Sequence, residues 1–281
     1  MASKSKNLDM TRGEPAKLLV LFAIPMLIGS IFQLMYNMVD TVVVGRYVSI
    51  EALAAIGATG TTMQFLMMVG QGMTNAVSIV ISQAEGGKQE GLLQKAVAHA
   101  VYIVLGSSLL VGLFSLFGAR PLMLLLGTPE NIIDNSVLYV QITGGLTIAM
   151  QCYNGATSIL RAIGDSRTPL YFLIFSSLLN VGLDLLFVIR FNGGVAGVAY
   201  ATVLSQFVSA VLCIIYMFKR YPRLRPAGGM WQPDSALFKQ FLGIGVPMTL
   251  QSMALSVGMF VITAVINSYG SGVVASYTIG G

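Results

Sequence analysis

Six long stretches of the chain contain no Asp, Glu, Lys, Arg or His. A helix rises about 1.5 Å per residue, so about 20 apolar residues cross a hydrocarbon core of roughly 30 Å, and each stretch reaches that length. Charged residues make up 10% of the chain, against roughly 25% in soluble domains. A soluble enzyme is therefore excluded. The six stretches are Leu18–Val39, Ala52–Ala84, Ala100–Ala119, Asn135–Leu160, Phe191–Phe218 and Gln240–Gly281.

A seventh apolar segment, Thr168–Ile189, is interrupted only by Asp184. The last of the six stretches is the longest, and it has room for one crossing, a turn at Asn267–Gly272 and the start of another crossing. We therefore predict an all-α membrane protein with seven complete spans and part of an eighth. The first stretch is too long for the core of a signal peptide, and we expect it to remain as a membrane helix.

The basic residues predict the orientation of these spans. The polar leader and every second connection hold 13 Lys or Arg, whereas the opposite connections hold only Arg46, Arg120 and Arg190. Cytoplasmic loops carry the excess of Lys and Arg, so we expect a plasma-membrane protein with a cytoplasmic N-terminus. Because the basic residues are distributed among apolar runs, we expect no nucleic-acid partner.

An internal repeat links the first and last apolar stretches. When Lys17 is aligned with Lys239, Pro25 falls on Pro247, and the two windows share eight identities in 31 positions. Six crossings separate the two copies, so both begin on the same side, as in a parallel repeat about an axis along the membrane normal. The predicted organisation is a leader (1–17), a six-helix N-terminal lobe (18–218), a basic cytoplasmic inter-lobe loop (219–238) and the start of a C-terminal lobe (239–281). We expect that last part to hold helix 7 and the beginning of helix 8, and we expect the second lobe to be truncated there.

Polar side chains recur at helical spacing inside the apolar stretches. In the first, Gln33, Tyr36, Asn37 and Asp40 share one face, and Asn154 lies on a similar stripe of the fourth. Hydrogen bonding between helices is enough to account for the presence of any single Ser, Thr or Asn in a membrane helix. Several such faces together predict an interior cavity that lipid does not contact, and we expect Gln33, Tyr36, Asn37 and Asn154 to line it.

Two aspartates need a stronger reason, because a carboxylate at mid-membrane costs about 2.5 to 3.5 kcal/mol. We place the outer membrane boundary at Tyr47 for the first helix and at Arg190 for the fifth. At helical rise, Asp40 and Asp184 then both lie about 9 to 10 Å inside that boundary. Thr202 lies about 12 Å inside, and Asn180 is one turn deeper than Asp184. We predict that these four groups form a cation or proton site. Their oxygens suit a hard cation such as Na⁺, and burial beside a second carboxylate favours protonation, so both ions remain possible.

Pro25 lies inside the first predicted helix and leaves the carbonyl of Leu21 without its helical partner. Proline is common in membrane helices, so an ordinary kink is one interpretation. The matching Pro247 favours the other, a functional hinge at Pro25 that responds to ion binding.

Four segments of this sequence have a recognisable pattern. They are DTVVVGRYVSIEALAAIG (40–57), ISQAEGGKQEG (81–91), ILRAIGDSRTPLYF (159–172) and NVGLDLLFVIRFNGGVAGVAYATVLSQ (180–206). Together they resemble the multidrug and toxic compound extrusion (MATE) transporters of the DinF-like branch. The resemblance implies twelve helices in two six-helix lobes and export of amphipathic, often cationic drugs in exchange for Na⁺ or H⁺.

Residue by residue, the resemblance assigns Asp40, Asn180, Asp184 and Thr202 to the ion site and Pro25 to a bending proline. It also assigns Tyr36 and Tyr139 to the cavity near that site. It implies a monomeric transporter, not an enzyme, that has no cofactor besides its coupling ion and whose partners are small substrates and the bilayer. This chain ends at Gly281.

Two other classes of membrane protein also fit parts of the pattern. An intramembrane aspartyl protease needs Gly at position 183 and Tyr at 39, where this chain has Leu183 and Val39. A lipid-linked sugar flippase has a related architecture, but its cavity is expected to carry basic residues for phosphate. The N-terminal lobe has no Lys or Arg at mid-membrane.

Overall fold

A computed structural model describes residues 15–268, except for the side chains of residues 15, 36, 37, 39–41, 50 and 256–268. The predicted leader and the predicted start of helix 8 therefore lie mostly outside the described residues. Residues 15–268 form eight α-helices and no strand. The helices are α1 (Pro15–Tyr47), α2 (Ile50–Gly86), α3 (Glu90–Leu125), α4 (Glu130–Gly145), α5 (Ile148–Ala162), α6 (Arg167–Leu185), α7 (Gly194–Arg220) and α8 (Ser235–Ser268).

Burial along α6 is the reverse of the pattern in a soluble protein. Ser176, Asn180 and Asp184 are buried at intervals of four residues, whereas Leu178 is 70% exposed. A helix in contact with lipid exposes its apolar residues and buries its polar ones. Five helical segments in the described part of the chain are long and apolar enough to cross a membrane, and the predicted all-α membrane fold is confirmed.

The fourth predicted span is broken into two helices. Asn135–Leu160 was expected to be continuous, but α4 ends at Gly145 and α5 begins at Ile148. The N–H groups of Thr147 and Ala149 donate to the carbonyls three residues earlier, which tightens the turn between the helices. Paired glycines at 144 and 145 are a common cause of such breaks.

The span that follows also departs from a regular helix. After α6, residues Leu186–Arg190 form a π-helical turn, in which the Phe191 N–H donates to the Leu186 carbonyl. A π-helical turn is frequent at functional sites. Here it begins two residues after Asp184, at the same end of the helix.

Small residues allow α2 and α8 to pack closely. A Cβ atom added at Gly72 would lie 2.9 Å from the Thr249 backbone nitrogen and 3.0 Å from the Gly245 carbonyl oxygen. Closer to the end of the bundle where most Lys and Arg lie, Gln240 Nε2 donates to Gln83 Oε1 over 3.1 Å. The contact joins the first copy of the repeat to α8, the first helix of the second copy.

Replacing Gly72 with alanine is expected to lower stability, because backbone atoms of α8 leave no room for the added methyl. Overpacking of this kind costs about 1–3 kcal/mol. The check is thermal unfolding of the purified protein in detergent. Gly106→Ala in α3 is the matched control, since a Cβ there meets nothing within 4 Å. Equal melting temperatures for the two variants would contradict the close approach of α2 and α8.

Candidate functional site

Three of the four residues predicted for the ion site lie on facing sides of α6 and α7. Asn180 is 0% and Asp184 1% exposed, one turn apart on the buried face of α6. Asn180 Nδ2 donates to Thr202 Oγ1 over 3.5 Å, and this hydroxyl donates in turn to the Val198 carbonyl at 3.1 Å. The structure thus places an amide and a hydroxyl in contact, with a carboxylate next to them along the helix.

Asp40 is the fourth predicted site residue, and its side chain lies outside the described residues, as do those of Tyr36 and Asn37. The backbone at 40 belongs to α1, which packs against α6. Helical structure ends at Tyr47 in α1 and at Arg190 after α6, the two positions from which the matching depths were counted. The pairing of Asp40 with Asp184 stays a prediction.

A cavity of about 520 Å³ lies between α1, α2, α4, α5 and α7. Thr202 is part of its wall, so the same residue borders both the buried Asn180 and the cavity. Gln33 and Tyr139, two predicted cavity residues, also line it. Asn154 is half-buried on α5 and is not among the described residues that line it.

The wall of this cavity is mainly apolar and carries several polar but uncharged side chains. Its described lining residues include Gln64, Thr143 and Gln206 alongside Met63 and Met67, and none of those described is Asp, Glu, Lys or Arg. Flexible methionine side chains adapt to ligands of different shapes, and amides and hydroxyls offer donors and acceptors. Such a cavity can hold an amphipathic molecule while the ionisable group stays behind its wall.

Pro25 is buried on α1, a helix whose other side chains are mostly exposed. One turn further, Gly29 packs against Leu173 of α6, and the Ser30 hydroxyl donates to the Met26 carbonyl at 3.2 Å. A serine that bonds back to the preceding turn often bends a helix. The sequence pattern indicated Pro25 alone, but Ser30 adds to the irregularity of this turn.

Asp165 is a buried carboxylate that was not among the predicted site residues. Its Oδ1 accepts the Thr168 N–H at 3.0 Å, and its Oδ2 accepts the hydroxyls of Thr168 at 2.6 Å and Tyr221 at 2.7 Å. It therefore caps α6 and ties the α5–α6 connection to the end of α7. The signal was present in the sequence, because Asp is a preferred capping residue just before the start of a helix.

Ion pairs join the connection after α7 to the basic ends of α2 and α3. Lys95 Nζ lies 2.9 Å from Asp234 Oδ2, and Arg223 lies 2.7 Å from Glu85. The hydrogen bond from Lys95 holds the pKa of the Asp234 carboxyl below its ordinary value. His99 is buried beside this pair, and its Nε2 accepts the Asp234 N–H at 2.8 Å. These contacts fix the connection to the bundle.

Together these elements define a multi-pass helical membrane protein in which a buried polar cluster adjoins a central cavity. The MatE family model matches residues 25–186, more than half of the chain. The chain belongs to this family of MATE transporters, and the predicted family is confirmed. The assignment to the DinF-like branch stays a prediction.

Curated relatives and solved structures agree with this assignment. The chain is 32% identical over 274 residues to the probable multidrug resistance protein YpnP of Bacillus subtilis (strain 168), covering 97% of this chain and 61% of YpnP. It aligns to a crystal structure of MATE in the bent conformation with a TM-score of 0.88 and 26% identity, covering 98% of this chain and 61% of that one. A MOP superfamily transporter from Pyrococcus furiosus, whose binding pocket is described as reversed in polarity, aligns with a TM-score of 0.87 and 25% identity, covering 99% and 62%. The chain thus spans about three fifths of the length of these proteins.

Proposed function

We propose that the full-length protein is a secondary active antiporter that exports amphipathic, often cationic drugs or xenobiotics in exchange for H⁺ or Na⁺. The observation that carries this proposal is the buried Asn180–Asp184 face beside a cavity that shares Thr202 with it. A carboxylate inside a membrane bundle is costly unless it binds an ion or a partner. Placed behind the cavity wall, its charge state influences what the cavity holds.

The proposed coupling is electrostatic and conformational. When H⁺ or Na⁺ binds to the carboxylates of Asp40 and Asp184, it lowers their mutual repulsion, and the preferred packing of α1 against α6 changes. Pro25, buried one turn from the Gly29–Leu173 contact, is where α1 bends in response. Movement of α1 alters the cavity, because Gln33 of α1 is part of its wall.

The energy of such an exchange is adequate for drug export. One charge that crosses a potential of about 100 mV gains about 2.3 kcal/mol, which sustains a solute gradient of roughly fifty-fold. The basic ends of the helices support a plasma-membrane protein whose N-terminus is cytoplasmic. We propose that it acts as a monomer and needs no cofactor besides the coupling ion.

A lipid-linked sugar flippase is the second candidate function. Such a protein handles a phosphorylated ligand, for which Arg or Lys is expected on the cavity wall. The described residues that line the 520 Å³ cavity include neither. This uncharged wall favours drugs over lipid-linked sugars.

Dye uptake into inverted membrane vesicles tests the proposal, because export from the cytoplasm becomes movement into the lumen of such vesicles. A fluorescent cationic dye is added outside vesicles that contain the full-length protein, and Na⁺ and pH gradients are imposed separately. We expect dye movement with at least one of the two gradients and none with ATP alone. Movement driven by ATP, or movement of a lipid-linked sugar instead of the dye, would refute the proposal.

Thr202→Val removes one oxygen from the predicted ion site and keeps the shape of the side chain. We expect the ion concentration for half-maximal efflux to rise at least roughly tenfold, because a hydrogen bond or ligand to a charged group contributes about 1.5–3 kcal/mol. Thr143→Val is the control, since Thr143 also lines the cavity and, like Thr202, donates to the carbonyl four residues earlier, but it is not one of the predicted ion-site residues. Unaltered ion dependence in Thr202→Val would make Thr202 a packing residue.

A further inference from the structure

A second, smaller groove lies apart from the ion site, between α3, α5 and α7. Its volume is about 100 Å³. Every described residue that lines it is apolar. The lining residues are Val97, Ala100, Val101, Val104, Leu105, Cys152, Gly155, Ala156, Ile159, Ile214, Met217 and Phe218. A groove of this kind offers no partner to water.

The groove runs along α3, one of the helices long and apolar enough to cross the membrane. On α3 it extends from Val97 to Leu105, eight residues or about 12 Å of helix. One leaflet contributes about 15 Å of hydrocarbon. On α7 its end is Phe218, the last residue of the charge-free stretch, so this end lies at the membrane boundary. The groove therefore has the length and position of one acyl chain within one leaflet.

A guanidinium stands at the boundary end of the groove. Arg225 Nε donates to the Phe218 carbonyl over 2.9 Å, which holds the side chain at the groove's end. Arg225 is exposed. Among the described residues no Asp or Glu lies within ion-pair distance of it, whereas Arg223 is paired with Glu85. The terminal nitrogens of Arg225 can thus donate hydrogen bonds to an anionic oxygen.

We propose that this groove binds an anionic phospholipid, with one acyl chain against α3, α5 and α7 and the phosphate at Arg225. Planar guanidinium groups bind phosphate through paired hydrogen bonds. The neighbouring Lys219 and Arg220, both exposed on the last turn of α7, add a positive field that attracts anionic headgroups. The orientation proposed above places this lipid in the inner leaflet, but the binding itself depends on neither that orientation nor transport.

Photo-crosslinking tests the site on the full-length protein in nanodiscs of phosphatidylcholine. The probe is phosphatidylglycerol with a diazirine in one acyl chain, and the adducts are mapped by mass spectrometry. We expect adducts on groove residues such as Val101, Cys152 and Ile214. A diazirine-labelled phosphatidylcholine at the same concentration is expected to give at least about fivefold fewer. Equal labelling by both lipids, or adducts spread evenly over the lipid-facing helices, would overturn the proposal.

Two variants separate a specific site from diffuse attraction to a basic surface. Arg225→Gln is expected to lower phosphatidylglycerol adducts in the groove about fivefold, while Lys88→Gln, which removes an equal charge from the exposed connection between α2 and α3, leaves them nearly unchanged. Equal losses in the two variants would refute a phosphate site at Arg225. Val101→Phe fills the groove and should remove its adducts with both lipids, and retained adducts would place the acyl chain elsewhere. Because Arg225 and Lys88 are exposed, neither Gln variant is expected to impair folding.

Discussion

Asp184→Asn is expected to abolish ion-coupled efflux of a cationic dye while the protein still inserts and folds. Asparagine has nearly the same shape as aspartate, so it fits the buried position on α6. It carries no charge that an ion can neutralise, and the coupling step then has no driving force. The measurement is the initial rate of dye uptake into inverted vesicles that contain either the wild-type or the variant protein in equal amounts. We expect the variant to match vesicles without the transporter.

The same substitution at an exposed position is the control. Asp134 on α4 is 81% exposed in its side chain and meets Arg120 at 3.3 Å, a surface pair that contributes about 0–1 kcal/mol. Asp134→Asn should therefore transport at the wild-type rate. Asp40→Asn should behave like Asp184→Asn if the two carboxylates share one ion. Wild-type efflux in Asp184→Asn would remove this residue from the ion site.

Much of the fold followed from the sequence because the bilayer imposes a simple rule. In lipid, backbone groups must be satisfied within each segment, so a charge-free run long enough to cross the membrane has few alternatives to a helix. The inward position of Asn180 and Asp184 followed from the same rule, since their spacing of four residues puts them on one face. The contact between Asn180 and Thr202 agrees with depths counted from the helix ends.

Other features depended on tertiary packing and left a weaker signal. The break after Gly145 lies within an apolar run, where composition does not distinguish one helix from two. The π-helical turn after Asp184 depends on close packing around Gly193 and Gly197, where an added Cβ would contact Phe187. The bond from Tyr221 to Asp165 joins residues 56 positions apart, which spacing along one helix does not predict.

Pro25→Ala is expected to slow transport more than it weakens ion binding. Alanine restores the N–H that proline lacks, so the Leu21 carbonyl regains a helical partner and α1 becomes a more regular helix. To bend, α1 must then break one backbone hydrogen bond, worth about 1 kcal/mol, which lowers the turnover rate about five- to tenfold. The ion ligands lie on other turns, so ion affinity should change less than twofold. Turnover is measured by dye efflux and ion affinity by calorimetric titration.

Pro121→Ala in α3 makes the same chemical change in a different helix. Pro121 is exposed near the C-terminal end of α3, and it is not among the described residues of the ion site or the cavity wall. Its replacement should leave turnover unchanged, so a slower Pro25→Ala variant reports on the bend in α1 and not on proline loss in general. If Pro25→Ala and the wild type turn over equally, Pro25 is an ordinary kink, and the movement that couples ion to drug must come from another part of the bundle. The contact of α2 with α8 through Gly72 would then be the next candidate, because it joins the two copies of the repeat.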